Sequence, residues 1–311
     1  MSVALANTET MTRDEWLKFR NRGIGGSDVS VICGVNKYKS PVELWMEKTG
    51  QIEPKEAGEA AYWGTILEPI IRDEFSKRSG MEVALERSIL QHPYHSFMMA
   101  NLDGIVIDPV KNCTCVFEAK TANQFSAGDW ELDVPEGYQL QVQHYMAVTD
   151  YTGTYIAVLI GGNQFRYYYI ERDDEMIGLL IMLEKHFWDC VIKKIPPKID
   201  GSKASSELLN RLYPQGKSKT VIPLPEDALD LIKQYEDGQT GESSSSLKKD
   251  EAANKLKSML GTYEYGSISN RTVCWTNVNS EKFNSKAFKL ADPETYTKFV
   301  VKSSFRRFSI K

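Results

Sequence analysis

The amino-acid sequence predicts an α/β fold, an α+β mixed sheet flanked by helices, and three observations lead to that expectation. Residues 83–120 are rich in short apolar runs broken by turn signals, the pattern of successive strands. The segments before and after them repeat apolar residues at helical spacing. At 311 residues and 41% hydrophobic composition, the chain can bury the core of one large domain with a small second one beside it.

From the amino terminus, residues 14–20 read as a short amphipathic helix capped by Thr12 and running into the glycine cluster 23–26, which turns the chain sharply. Ser27 or Asp28 then caps a helix carrying Val29, Val31 and Ile32 that stops near Gly34. Over 40–50, Ser40 is a cap, Pro41 takes the first helical position and Gly50 ends the helix. Ile66, Ile70, Ile71 and Phe75 recur at helical spacing, and Pro69 puts the first turn of that helix close to Glu68.

Strands follow at 83–85, 89–90, 98–107 and 114–120, with Asp108-Pro109 turning the chain between the last two. A helix over 138–148 opens at Glu136 or Gly137, and a hairpin pairs 154–160 with 164–171 around Gly161-Gly162. An amphipathic helix over 173–194 ends before Pro196-Pro197, closing a domain of residues 1–200. Residues 201–262 read as charged helical stretches joined by a flexible Ser-rich link at 238–246. Residues 263–311 form a small basic segment with strands at 271–275 and 305–310 and with Lys282, Lys286, Lys289, Lys298, Lys302, Arg306, Arg307 and Lys311. That segment could touch DNA or simply pack as an appendage with a solvated basic surface.

No run of about 18 apolar residues occurs, and residues 1–12 lack a basic stretch followed by an apolar one, so a cytoplasmic protein with no membrane contact is expected. Five cysteines without a CxxC pair disfavour a disulfide framework or a zinc ribbon. Cys113 and Cys115 share one face of a strand, where buried free thiols are the favoured reading over metal ligands. A net charge of −4 argues against a broadly basic surface and leaves room for a local basic channel.

The chemistry concentrates in a few polar residues. Asp103 and the triplet Glu118-Ala119-Lys120 fall on neighbouring strands, and Glu118 and Lys120 share a face because strand side chains alternate. Turning an acid and a lysine inward costs on the order of several kcal/mol unless they are paired or metal-bound. Two readings follow: a divalent cation held by hard oxygen ligands with an ammonium assisting the attacking water, or a cross-strand salt bridge of Lys120 with Asp103 or Glu118. The first is what a magnesium-dependent phosphodiester hydrolase needs. Gln141 and Tyr145, at i and i+4, share one helical face, and Gln139 and Gln143 share a neighbouring one.

Taken in order, residues 64–69, 101–104, 118–120 and 141–145 resemble the YqaJ viral recombinase family, which belongs with lambda exonuclease in the PD-(D/E)XK nuclease superfamily and, more distantly, with RecB-type nuclease domains. Residues 20–28, with 38–41 and Leu44-Trp45, resemble the same family's amino-terminal motif, so the likeness spans about 16–191. It implies a restriction-endonuclease-like core with a small C-terminal appendage. It also implies Mg2+, replaceable by Mn2+, ligated by Asp103, Glu118, the Ala119 carbonyl and, directly or through water, Glu68. Lys120 would position or deprotonate the attacking water, and Gln141 and Tyr145 match the superfamily's Gln-x-x-x-Tyr element. Where RecB-type domains often place a histidine, this chain has Glu68.

Arg20 and Ser27 correspond to residues that contact the terminal 5′-phosphate, and a guanidinium with a hydroxyl is apt for that anion. Arg22 competes with Arg20 for the role, Ser27 reads equally well as an ordinary cap, and Gln143 joins the DNA-facing set. The implied activity is 5′-to-3′ digestion of linear double-stranded DNA, leaving 3′ single-stranded overhangs for an annealing protein of the RecT or Red-beta kind. The implied assembly is a homo-oligomer, a trimeric ring. An endonuclease on the same core and a DNA-binding or assembly protein without cleavage are the alternatives; retention of Glu68, Asp103, Glu118 and Lys120 together disfavours the second.

Overall fold

A computed structural model describes residues 2–54, 58–213, 225–226, 228–260, 262–268, 271–277, 283 and 285–301. The chain falls into two units, Met1–Leu212 and Tyr213–Lys311. The first opens with β1 (Val3–Asn7), a strand that no sequence signal announced, followed by α1 (Arg13–Arg20). Thr12 caps α1 as expected: its hydroxyl accepts the Glu15 N–H at 3.3 Å while the Glu15 carboxylate accepts the Thr12 N–H at 2.8 Å. After β2 (Ile24–Gly25) comes α2 (Gly26–Ile32), whose cap is Gly25 rather than Ser27 or Asp28. Asp28 sits in the first turn and reaches back to accept the Gly25 N–H at 3.1 Å, which satisfies that donor from inside the helix. The next helix, α3 (Pro41–Lys48), starts at Ser40 and stops before Gly50, at φ +70°, as the residue signals require.

Helix α4 (Glu59–Ser79) begins well before Pro69, so Glu68 stands in mid-helix and not at its first turn. An interior proline costs about 3 kcal/mol. Ile71 and Phe75, at 1% and 0% exposure, are worth about 1.5–3 kcal/mol each when fully buried. Packing therefore outweighs the break, with the Phe75 ring 5.0 Å from Phe117 and 5.4 Å from Tyr155.

The strands β3 (Val83–Ala84), β4 (Ser88–Gln91), β5 (Met98–Ala100), β6 (Gly104–Asp108) and β7 (Cys113–Ala122) precede α5 (Glu136–Thr149). The hairpin β8 (Gly153–Ile160) and β9 (Gln164–Glu171), then α6 (Asp174–Lys193) and α7 (Lys203–Leu212), complete the unit. One sheet has the order β3-β6-β7-β8-β9, a second β1-β4-β5-β2. In the first sheet β7 and β8 run parallel while the other neighbours are antiparallel, so the sheet is mixed as expected. The strand expected over 98–107 is cut in two: β5 and β6 lie in different sheets, and residues 101–103 cross between them. Gly104 permits that seam, since a Cβ there would stand 2.5 Å from Val83 Cγ1.

Parallel β7 and β8 require a crossover, and α5 lies within it. Alternate side chains of β7 face opposite helices. Cys115 and Phe117 pack with Ile71 and Phe75 of α4, and Val116 packs with Val142, Tyr145 and Met146 of α5. Polar stripes on helices are usually solvated, yet every residue of α5 from Leu140 to Thr149 is buried. His92 and His95 sit in the turn before β5, and the described cysteines are free, Cys113 and Cys115 sharing a strand face with sulfurs 3.5 Å apart.

The first unit runs to Leu212, past the residue 200 expected from the sequence, and includes α7, whose Arg211 donates to the buried Glu43 carboxylate at 2.8 Å. In the second unit, the Ser-rich stretch is no break: α8 (Ala228–Leu260) runs through it as one helix. Serine costs only a few tenths of a kcal/mol in a helix, roughly, and a Lys255–Glu251 pair at 2.6 Å braces the far end. A hairpin, β10 (Tyr265–Ile268) with β11 (Arg271–Cys274), precedes α9 (Ser285–Ala291) and α10 (Pro293–Phe299). The strand expected over 305–310, with Lys282, Lys302, Arg306, Arg307 and Lys311, lies outside the described residues. Among the described residues no helix is long and apolar enough to cross a membrane.

Candidate active site

The centre forms where one strand stops short. Strand β6 begins only at Gly104, opposite Phe117, so beyond Phe117 strand β7 is paired by β8 alone. Asp103 fills the vacant edge: its Oδ2 accepts the Ala119 N–H at 2.9 Å. A strand residue turns its N–H and C=O to the same side, so the Ala119 carbonyl lies on this edge too.

Glu118 and Lys120 project toward α5. Glu118 is 3% exposed, and its Oε1 accepts Lys120 Nζ at 2.6 Å and Gln141 Nε2 at 2.7 Å. Gln141 Oε1 accepts a second Lys120 contact at 3.1 Å, and its Nε2 reaches the Tyr145 hydroxyl at 3.0 Å. The Lys120 ammonium also lies 4.8 Å from the centre of the Tyr138 ring. The Lys120–Glu118 salt bridge left open by the sequence is thus formed, but it uses one carboxylate oxygen. The other, Glu118 Oε2, is buried without a hydrogen-bond partner.

Charge balance explains the titration of these groups. Burial, then the Asp103 charge, pushes Glu118 up to about 8. Burial raises Asp103 against the opposing charge of Lys120. Glu68, reaching in from α4, is pushed to about 7 by burial and then by Asp103, with Arg72 at 3.5 Å opposing the rise. Burial alone would lower Lys120, but the Glu118 and Asp103 charges outweigh it and raise it. Burial and the same two carboxylates hold the Tyr145 phenol well above its ordinary range.

Three carboxylates around one lysine, with a buried orphan oxygen, make a place suited to a hard cation. Asp103, Glu118 and the Ala119 carbonyl fit such an ion in donor type. Among the described residues, no three Asp, Glu, His or Cys side chains stand close enough together to hold a metal by themselves. Glu68 is coupled to the pair through its charge.

A cavity of about 240 Å³ opens onto this centre, and its lining joins Asp103, Glu118, Gln141 and Tyr145 to Arg20 and Ser27. Arg20 donates to Ser27 Oγ at 2.7 Å and to Asp28 Oδ1 at 3.1 Å. Arg22, the other candidate for the phosphate, is exposed, folded over the Phe19 ring at 5.0 Å, and does not line the cavity. Gln143, expected to face DNA, is instead buried at 3% exposure. It donates to the Glu171 carbonyl at 2.8 Å and accepts the Asp173 N–H at 3.0 Å, because position 143 of α5 points toward the turn between β9 and α6. Glu68 does not line this cavity.

Sequence reasoning overlooked three participants. Asn101 lines the cavity two residues before Asp103, a proximity that could have flagged it. Gly26 allows α2 to meet α5, a role visible only as one glycine in a cluster. Lys48 is sealed inside at 2% side-chain exposure, although a lysine in the last turn of a helix reads as solvated.

The fold and site together define a mixed α/β protein in which a sheet-edge carboxylate pair, a strand lysine and a buried crossover helix enclose one polar centre. Residues 15–152 match the YqaJ-like viral recombinase domain. An uncharacterized protein YqaJ of Bacillus subtilis (strain 168) is 41% identical over 314 residues, spanning 99% of this chain and 97% of its own length. Solved structures of similar chain path include an alkaline exonuclease from Laribacter hongkongensis, 23% identical with a TM-score of 0.49, covering 64% of this chain and 97% of that one. A phage related exonuclease from Haemophilus somnus is 13% identical with a TM-score of 0.42, covering 58% and 99%. The chain belongs to the YqaJ-like viral recombinase family.

Proposed function

We propose that the protein is a divalent-metal-dependent exonuclease that digests one strand of linear double-stranded DNA from its 5′ end and leaves a 3′ overhang. Glu118 Oε2 carries the reading: a buried carboxylate oxygen without a hydrogen-bond partner, in a group that also feels the Asp103 charge, is costly unless a cation or a proton completes it. Asp103, Glu118 and the Ala119 carbonyl would hold Mg2+, or Mn2+ in its place, with Glu68 acting through water. The bound ion would supply Lewis acidity and a more acidic water.

The side chains supply the rest. Lys120, held by Glu118 and Gln141, places a fixed positive charge where negative charge grows on the phosphoryl oxygens. Gln141 locks Lys120 and Glu118 into one arrangement, and Tyr145 orients Gln141 in turn. Arg20 and Ser27, across the same cavity, receive the terminal 5′-phosphate through charge-assisted hydrogen bonds. A net charge of −4 is compatible with DNA binding because the lining alone must be basic. Family membership supports a place in recombination beside a single-strand annealing protein of the RecT or Red-beta kind, and resemblance to lambda exonuclease supports a trimeric ring.

The test compares linear duplex and a covalently closed circle of the same sequence, each with Mg2+ or chelator. Metal-dependent loss of the linear form with an intact circle is expected. Cutting of the circle would establish an endonuclease on this core, and no hydrolysis of either would leave a binding or assembly protein. Sedimentation of the purified protein checks the trimer.

A further inference from the structure

Arg20 does not stand alone on its wall of the cavity. We infer that Lys48 and Asp28 are positioning residues that hold Arg20 in place and so set the preference for a phosphorylated 5′ end, a role resting on the function proposed above. Lys48 Nζ lies 2.7 Å from Asp28 Oδ2 and 2.9 Å from the carbonyl oxygen of Arg20. Asp28 Oδ1 accepts the Arg20 guanidinium at 3.1 Å, and Oδ2 also accepts the Gly25 N–H. One ammonium therefore grips Arg20 at its backbone and, through Asp28, at its side chain.

The placement separates this role from direct contact with substrate. Neither Lys48 nor Asp28 lines the cavity that contains Glu118, whereas Arg20 and Ser27 do. Lys48 and Asp28 are only 2% and 3% exposed at their side chains, and they border a separate cavity on the far side of Arg20, with Lys39 and Glu47. Burying a lysine costs on the order of several kcal/mol unless it is paired, and Lys48 is paired to the carboxylate that aims the guanidinium. Arg20 has about four freely rotating side-chain bonds, and its side chain is about one-third exposed at 36%. Without Asp28 the guanidinium would sample several rotamers, and the Ser27–Arg20 pair would no longer be preformed.

The test measures the ratio of digestion rates on linear duplexes with 5′-phosphate and 5′-hydroxyl ends, for the wild-type protein, Lys48→Met and Asp28→Asn. Both substitutions keep side-chain volume, and the 5′-hydroxyl rate reports the catalytic centre within each variant. We expect the ratio to fall about tenfold in each variant, chiefly through KM on phosphorylated ends. A loss of equal size on both ends, by misfolding or otherwise, would make Lys48 and Asp28 parts of the fold alone and overturn the inference; an unchanged ratio would do the same. Equal rates on both ends for the wild-type protein would instead remove the phosphate pocket itself.

Discussion

A Cβ on Gly26 would stand 2.5 Å from Cε1 of Tyr145 and 3.0 Å from Cγ of Gln141, so the start of α2 touches the site face of α5 without a side chain between them. That approach puts Ser27 and Tyr145 on one cavity and ties the phosphate end of the site to the carboxylate end. Gly26→Ala should displace the Tyr145 ring and with it Gln141. We expect at least a tenfold fall in kcat and a loss of about 1–3 kcal/mol in stability, as for other overpacked cores. Steady-state rates and chemical denaturation of the variant check both, and wild-type kcat would show that α5 shifts freely.

Glu118→Gln keeps the shape of the side chain and removes the charge. The orphan oxygen becomes part of a neutral amide, so stability without metal should hold within about 1 kcal/mol. Melting in rising Mg2+ should raise the Tm of the wild-type protein and leave that of the variant flat. A variant that still gains Tm with Mg2+ would move the ion elsewhere. Lys120→Ala, by contrast, should retain the Mg2+-dependent Tm shift while losing about 100- to 1000-fold in kcat, the scale for removing one preorganised charge from a transition state.

Gln143 is expected to matter for folding and not for DNA. Its two hydrogen bonds, to the Glu171 carbonyl and from the Asp173 N–H, knot α5 to the β9–α6 turn. Gln143→Leu should cost about 1–3 kcal/mol by leaving those backbone groups unpaired. Affinity for a duplex end, measured by fluorescence anisotropy without metal, should be unaltered in the folded variant.

His144 gives the protein a pH-dependent stability. Both ring nitrogens face acceptors, Nδ1 the Glu184 carboxylate at 2.9 Å and Nε2 the Met99 carbonyl at 3.0 Å, so both donate only in the imidazolium form. Burial would lower its pKa, but Glu184, then the Met99 carbonyl and lastly the Asp28 charge outweigh it and raise the pKa above the ordinary 6.5. A raised folded value means that the contribution is fully present below pH 6.5 and fades as pH rises through the folded value. The Tm advantage of the wild-type protein over His144→Gln should therefore shrink with rising pH. A constant difference across about pH 5 to 9 would mean that His144 does not titrate there and would remove this source of pH dependence.

Local signals in the chain determined a good deal. Caps at Thr12 and Ser40, the stop at Gly50, the period-two strands and the Gly161-Gly162 hairpin are written in neighbouring residues, because capping and alternation act over a few positions. The Glu118-Ala119-Lys120 triplet and the Gln141/Tyr145 pair were legible for the same reason, since a strand or a helix fixes which of its own side chains share a face.

What the tertiary structure alone decided concerns positions far apart in the chain. That Glu68 is mid-helix follows from Ile71 and Phe75 packing across a proline, and that Asp103 leaves the strand follows from the seam between two sheets. The parallel crossover carries α5 over β7 and brings Gln141, 23 residues away in the chain, to 2.7 Å from Glu118. Burial then decides the chemistry: a charged group's energy depends on the solvent and partners around it, and these belong to no single stretch of sequence. For that reason Lys48, ordinary as a residue in a helix, becomes the group that holds Arg20.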